Sequence, residues 1–270
     1  MNAFIMLMRK ELWENRKTVL WLPVVLALGE WGLWLLLSLA GTGANVQVEA
    51  NAPAGQLLYI LALPFFFTTA LAVITYSGNC LLGERKDRSI LFWRSLPVSD
   101  WQTMAAKALV AMVLIPGINY LALVLFELPV ALLSPDLGLV AALKVWTQLG
   151  SHLLWLSLLM APFYAFMMLL SATTDRPLVW MFLTPLLVFF AESLLLDGHP
   201  VSSLVFGTLA GELMIVMGSL MSQSAFSLGA SWLANSAVLS TSNAMLAGLA
   251  VALIIWGLCA EIRRRNLIQD

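Results

Sequence analysis

LLYILALPFFFTTALAVITYSGNCLL, Leu57 to Leu82, runs 26 residues without a charge. A helix needs about 20 apolar residues to cross the hydrocarbon core of a bilayer, so this run reads as a span. Five further runs follow the same pattern. Thr18–Ala40 carries Glu30 as its only charge, and Ala108–Phe126 carries none, although Pro116 interrupts it. Val145–Ala172 is uncharged, Leu178–Leu196 holds only Glu192, and the last run ends at Ala260. The whole chain agrees: 61% of its 270 residues are hydrophobic and 11% charged, and its mean hydropathy is +0.90. A soluble domain is about 45–50% apolar. Such a composition is that of an integral membrane protein.

The spans fall at about 18–40, 57–82, 103–127, 145–172, 178–197 and 244–260. The segment 198–243 is different, since Leu213–Ala260 has no charge in 48 residues yet is rich in Ser, Asn and Gly. Gly207, Gly211, Glu212 and Gly218 break Leu204–Leu220, which suits a re-entrant or interfacial helix on the outer side. With six spans, thirteen of the fourteen basic residues lie on one face, leaving only Lys144 opposite. A seventh span would strand Arg263, Arg264 and Arg265 on the outer side, against the positive-inside rule. The expected fold is therefore an all-α membrane protein, a single transmembrane domain over residues 1–270, with both termini cytoplasmic in a cell's inner membrane. Phe4, Met8 and Leu12, spaced i, i+4, predict an interfacial helix over residues 1–17. Ser38-Leu39-Ala40 imitates a signal-cleavage site, but the apolar run before it is longer than a signal peptide carries.

Motifs for chemistry are missing: no GxxxxGK[ST], HExxH, GxSxG or GxGxxG occurs. The chain has no ATPase site of its own, and no catalytic or metal-binding residue is expected. Nothing in its composition points to nucleic acid. Cys80 and Cys259 read as small buried hydrophobes, and His152 and His199 as polar residues at the membrane interface. Glu127 reads as the outer end of span three. Glu30 and Glu192 are acids inside spans, which is costly; they read either as ties between helices or as part of a substrate path. On the second reading the chain is an ion-coupled secondary transporter.

The connection between spans two and three, ERKDRSILFWRSLPVSDWQ from Glu84 to Gln102, is the densest polar stretch. Arg85, Lys86 and Arg88 are what an inside loop should carry. Ile90, Leu91, Phe92, Trp93, Leu96 and Val98 form an apolar cluster that topology leaves unexplained. Ser99 with Gln102 is a capping-box pattern, and Asp100 suits the positive end of a helix. A short helix, a stop at Pro97 and the start of span three follow. Aromatic side chains beside arginines compose either an interface anchor or a helix lying on the inner leaflet.

Lys86–Asp100 resembles the first cytoplasmic loop of the permease subunits of ABC-2 type transporters. The Arg-Lys-Glu-Leu of Arg9–Leu12 is similar to the N-terminal connecting helix of that family, and the outer segment before span six to its short external helices. The resemblance implies an ATP-driven exporter in which segment 84–98 is a coupling helix. Arg88, Ile90, Phe92, Trp93, Arg94, Leu96 and Pro97 would then meet a separate ABC ATPase, which binds ATP and Mg. It implies a second permease copy as well, a copy of this chain in a homodimer before a heterodimer. The nearly charge-free spans suggest amphipathic or lipid-like cargo.

Overall fold

The computed structural model describes residues 3–39, 56–86, 99–133, 139–195 and 237–266. Every described element is a helix or helical turn. Helix α1 is Ala3–Glu14, followed by a π turn at Lys17–Trp21 and α2 at Leu22–Leu39. Next come α3 Gln56–Asn79, the short α4 Leu82–Lys86, and α5 Asp100–Leu109. A second π turn, Val110–Leu114, leads into α6 Ile115–Leu133; then follow α7 Leu139–Leu159, α8 Ala161–Thr173, α9 Pro177–Leu195 and α10 Ala237–Asn266.

Among the described residues four segments are long and apolar enough to cross a membrane: Leu61–Lys86, Asp100–Leu132, Pro177–Leu195 and Leu246–Arg265. The pair α7 and α8 makes a fifth if it counts as one span. The single span expected at 145–172 falls on this bent pair. The helix starts earlier, at Leu139, and bends by 49° at Met160. Its cause is Pro162, the second residue of α8, which has no N–H to give the preceding turn. Lys144, read as a loop residue, sits within α7. The last helix also exceeds its expected bounds of 244–260, so Arg263, Arg264 and Arg265 are helical. The outer segment 198–243 lies outside the described residues up to 236.

Prolines account for both π turns as well. Pro23 and Pro116 each follow a π turn by two residues. A proline ring clashes with the carbonyl four residues back and cannot bond to it, and the widened turn relieves the clash. For Pro116 that carbonyl belongs to Met112, and Ser157 of α7 donates its hydroxyl to it at 2.5 Å. The orphaned acceptor is thus satisfied across a helix interface, as a membrane interior requires.

Two apolar clusters stack along the bundle. One gathers Tyr76, Met104, Ile115, Met168 and Trp256; the other gathers Leu58, Phe65, Phe126, Trp146 and Leu149. Within lipid, such packing acts through close van der Waals contact more than through water release. Small residues permit it: a Cβ on Gly248 would lie 3.5 Å from Pro162, and Ala252 is fully buried where α10 lies along α8. Cys80 and Cys259 are free and buried in the first cluster, as the sequence suggests. Helix α9 packs on α8 and α3, and turns Leu178, Phe182, Phe190 and Leu194 outward.

Candidate functional site: a buried ionic knot at the basic end

The amphipathic α1 buries Leu7 and Glu11, one turn apart, while Ile5, Met6 and Trp13 stay exposed. Glu11 is only 2% exposed, so its charge needs a partner inside the protein. That partner is Lys107, one turn beyond Thr103 on the buried face of α5, and 1% exposed itself. Lys107 Nζ stands 2.6 Å from Glu11 Oε1 and 3.1 Å from Glu84 Oε1. It also donates to the Cys80 carbonyl at 3.0 Å. An ammonium has three donors, and these three acceptors match them. Tyr76 donates its hydroxyl to the other oxygen of Glu11 at 3.0 Å.

The Cys80 carbonyl is available because the chain turns between α3 and α4. Ser171 of α8 covers the other side of that turn, its hydroxyl accepting from the Leu81 and Leu82 amides at 3.2 and 2.9 Å. The turn therefore aims Glu84 inward, although its place in the sequence reads as the start of a solvated loop. Glu84 is 5% exposed. It meets Lys10 at 3.3 Å on one oxygen and Arg263 of α10 at 3.6 Å on the other. Arg263 Nε also lies 3.4 Å from Asp100 Oδ1 at the start of α5. At the wet edge, Lys10 reaches Glu14 at 3.6 Å. Partial burial raises the Glu14 carboxyl above its ordinary value, with Lys10 acting against that shift.

The result is a chain of buried charges that joins α1, α4, α5 and α10. A buried ion pair is weak evidence of net stability, because desolvation offsets much of the attraction. Its better-attested role is registry: the charges satisfy one another in one arrangement of the four helices. Ser99 adds to this arrangement. Its hydroxyl accepts from the Gln102 amide at 3.2 Å, and the Gln102 side chain accepts from the Ser99 amide at 3.2 Å, so the expected capping box is present. On the other flank Arg85 donates to the Ala172 carbonyl at 2.7 Å and pairs with Asp175, holding the C-terminal end of α8. Both ends of the connection between α4 and α5 are thus fixed to the bundle.

Beside the knot lies a cleft of about 420 Å³ between α1, α5 and α10. Leu7, Lys10, Asp100, Trp101, Gly257 and Arg263 line it. Gly257 leaves room for the Trp101 ring, which a Cβ there would meet at 3.0 Å.

Residues 88, 90, 92, 93, 94, 96 and 97, the expected ATPase contacts, lie outside the described residues. So does the Glu30 side chain, although Glu30 falls within α2. Glu192 is 5% exposed on the otherwise outward-facing α9. Glu127 corrects its reading as a simple end marker. It is fully buried, and Trp146 Nε1 donates to its Oε2 at 2.7 Å. Tyr120 secures the same place by donating to the Trp146 carbonyl at 2.7 Å. It crosses α7 where Gly150 leaves room, since a Cβ there would meet the ring at 3.0 Å. His152 is buried in α7, its Nδ1 2.7 Å from the Gln148 carbonyl.

In the sequence Lys107 and Arg263 read only as orienting charges, Lys10 as one that also belongs to the Arg-Lys-Glu-Leu tetrapeptide, and Glu11 only as part of that tetrapeptide. One signal pointed further: Lys107 interrupts the apolar AAKALVAMV of Ala105–Val113. No protein-family model, curated protein or solved structure matches this chain.

Proposed function

We propose that the chain is the permease subunit of an ATP-driven transporter of the ABC-2 type, acting in export. It has six spans, both termini in the cytoplasm, and a place in the cell's inner membrane. It pairs with a second permease copy and with ABC ATPases that bind ATP and Mg. The observation that carries this reading is the clamping of the 84–100 connection. Glu84 and Arg85 tie its entry to α1, α5, α8 and α10, while the Ser99 capping box and Asp100 tie its exit to α5 and α10. A push delivered at either anchored end passes to several helices at once. A loop that only orients the spans by its charge has no need of a buried ionic anchor at its entry and a capped, ion-paired exit.

The test is co-purification in mild detergent. An ATPase subunit should be retained by the wild-type chain, and Trp93→Ala should reduce that recovery by about tenfold or more, the loss of one interface anchor. Equal recovery at equal membrane levels removes Trp93 from the interface. Transport by the chain alone in vesicles free of any ATPase would favour the ion-coupled alternative.

A further inference from the structure

We propose that the cleft between α1, α5 and α10 binds the phosphate of an anionic lipid headgroup. This inference stands apart from the transport reading. Its centre is Arg263, which is 8% exposed, lines the cleft, and has Nε and Nη1 without a hydrogen-bond partner among the described residues. Buried guanidinium donors seldom stay unbonded, and each such group calls for a partner. Ion pairs at 3.4 and 3.6 Å engage Arg263 Nε and Nη2, and Nη1 is buried at the cleft wall without a bond among the described residues.

The other lining charges balance, so the unbonded donor sets the sign of the ligand. Three cations line the cleft, Lys10, Arg263 and Arg264, along with three acids, Glu84, Asp100 and Glu261. All three acids are already engaged: Glu84 by Lys107, Lys10 and Arg263, Asp100 by Arg263, and Glu261 by Arg264 and Arg265 at 3.0 and 2.8 Å. The free donor is cationic, so an incoming carboxylate or phosphate oxygen is favoured over a cation.

The rim favours a lipid as the source. Trp101 is 59% exposed at the mouth, and Leu7 lines the α1 wall. On the outer side of the same helix stand Ile5, Met6 and Trp13, with Arg16 stacked 5.7 Å over the Trp13 ring. Tryptophan beside arginine at the end of a bundle marks the headgroup level, and basic pockets between spans hold anionic headgroups. A free phosphate ion would use the same cations but gain nothing from this apolar rim.

The experiment titrates the purified full-length chain with phosphatidylglycerol or phosphatidylcholine vesicle lipid in mild detergent and counts bound lipid by native mass spectrometry. The wild-type chain should bind phosphatidylglycerol at least about tenfold more tightly. Arg263→Gln should abolish that preference. Should that variant not fold, Arg264→Gln and Trp101→Ala decide, since both alter exposed side chains; the loss of one cation near the surface corresponds to about fivefold weaker binding. Three results overturn the proposal: equal binding of the two lipids, unchanged preference in Arg264→Gln and Trp101→Ala together, or full displacement of the lipid by millimolar inorganic phosphate.

Discussion

Replacing Lys107 by Met keeps the length of the side chain and removes its charge. In the folded chain, Glu11 loses a partner at 2.6 Å and Glu84 one at 3.1 Å, while both stay buried. Leaving a buried charge without its counter-ion costs about 3–5 kcal/mol. One escape sets an upper limit: an orphaned carboxyl can take up a proton, which at neutral pH costs about 1.4 kcal/mol for each unit between its ordinary pKa and the solution pH. The folded variant then binds a proton that the unfolded chain does not. Its deficit should shrink as pH falls from 8 to 6, by at most about 1.4 kcal/mol per unit. Cys80 and Cys259 supply the assay, because both are buried and free, and a thiol-reactive dye in detergent reports their exposure on heating. At about 2–4 °C per kcal/mol, Lys107→Met should melt about 6–20 °C below wild type. Arg264→Gln, on a pair 64% and 36% exposed, should stay within about 1 kcal/mol. Adding Glu11→Gln to Lys107→Met should restore part of the loss, with a coupling energy of about 1–3 kcal/mol. If Lys107→Met melts with the Arg264→Gln control and shows no pH dependence, the knot is not a closed network.

Three further outcomes follow from single contacts. Ser171→Ala removes the acceptor of the Leu81 and Leu82 amides, and should cost about 1–3 kcal/mol in the same melting assay. Glu127→Gln keeps an oxygen for Trp146 Nε1 and should melt near wild type, whereas Glu127→Leu leaves that indole unbonded and should lose about 1–3 kcal/mol. For topology, cysteines placed at Asn51 or Ser202 should react with an impermeant reagent from outside the cell, and one at Lys86 should not. Outside labelling at Arg264 would remove the six-span arrangement.

The helices were legible because their signal is local. A run of uncharged residues as long as Leu57–Leu82 has one economical structure in a bilayer, and its backbone bonds close within the run. Prolines were legible as residues but not as geometry. Pro116 in a membrane helix calls for a neighbour or water to meet the freed carbonyl; that it is Ser157, 45 positions past Met112, depends on how α7 lies beside α6. Pro162 showed the same limit, since nothing local says whether a proline near a helix start bends the path by 49° or simply begins it.

The site resisted reading for a different reason. Near the end of a span, an acid or a base can face water, headgroups or the bundle, and hydropathy weighs all three alike. Glu11, Glu84, Lys107 and Arg263 are distant in sequence, and each alone has an adequate account as a charge at the membrane edge. Only their convergence makes them a site. The convergence in turn depends on the turn at Cys80 and Leu81, since a straight α3 would keep the Cys80 carbonyl within its own ladder and deny Lys107 its third acceptor. Position in the helix therefore matters more than charge: moving the lysine by one residue, in a Lys107→Ala, Ala106→Lys pair, keeps the positive-inside balance intact. It should still lose the knot, because position 106 points about 100° away around the helix. A shifted variant that inserts normally but melts with Lys107→Met would separate the orienting role of this charge from its buried one.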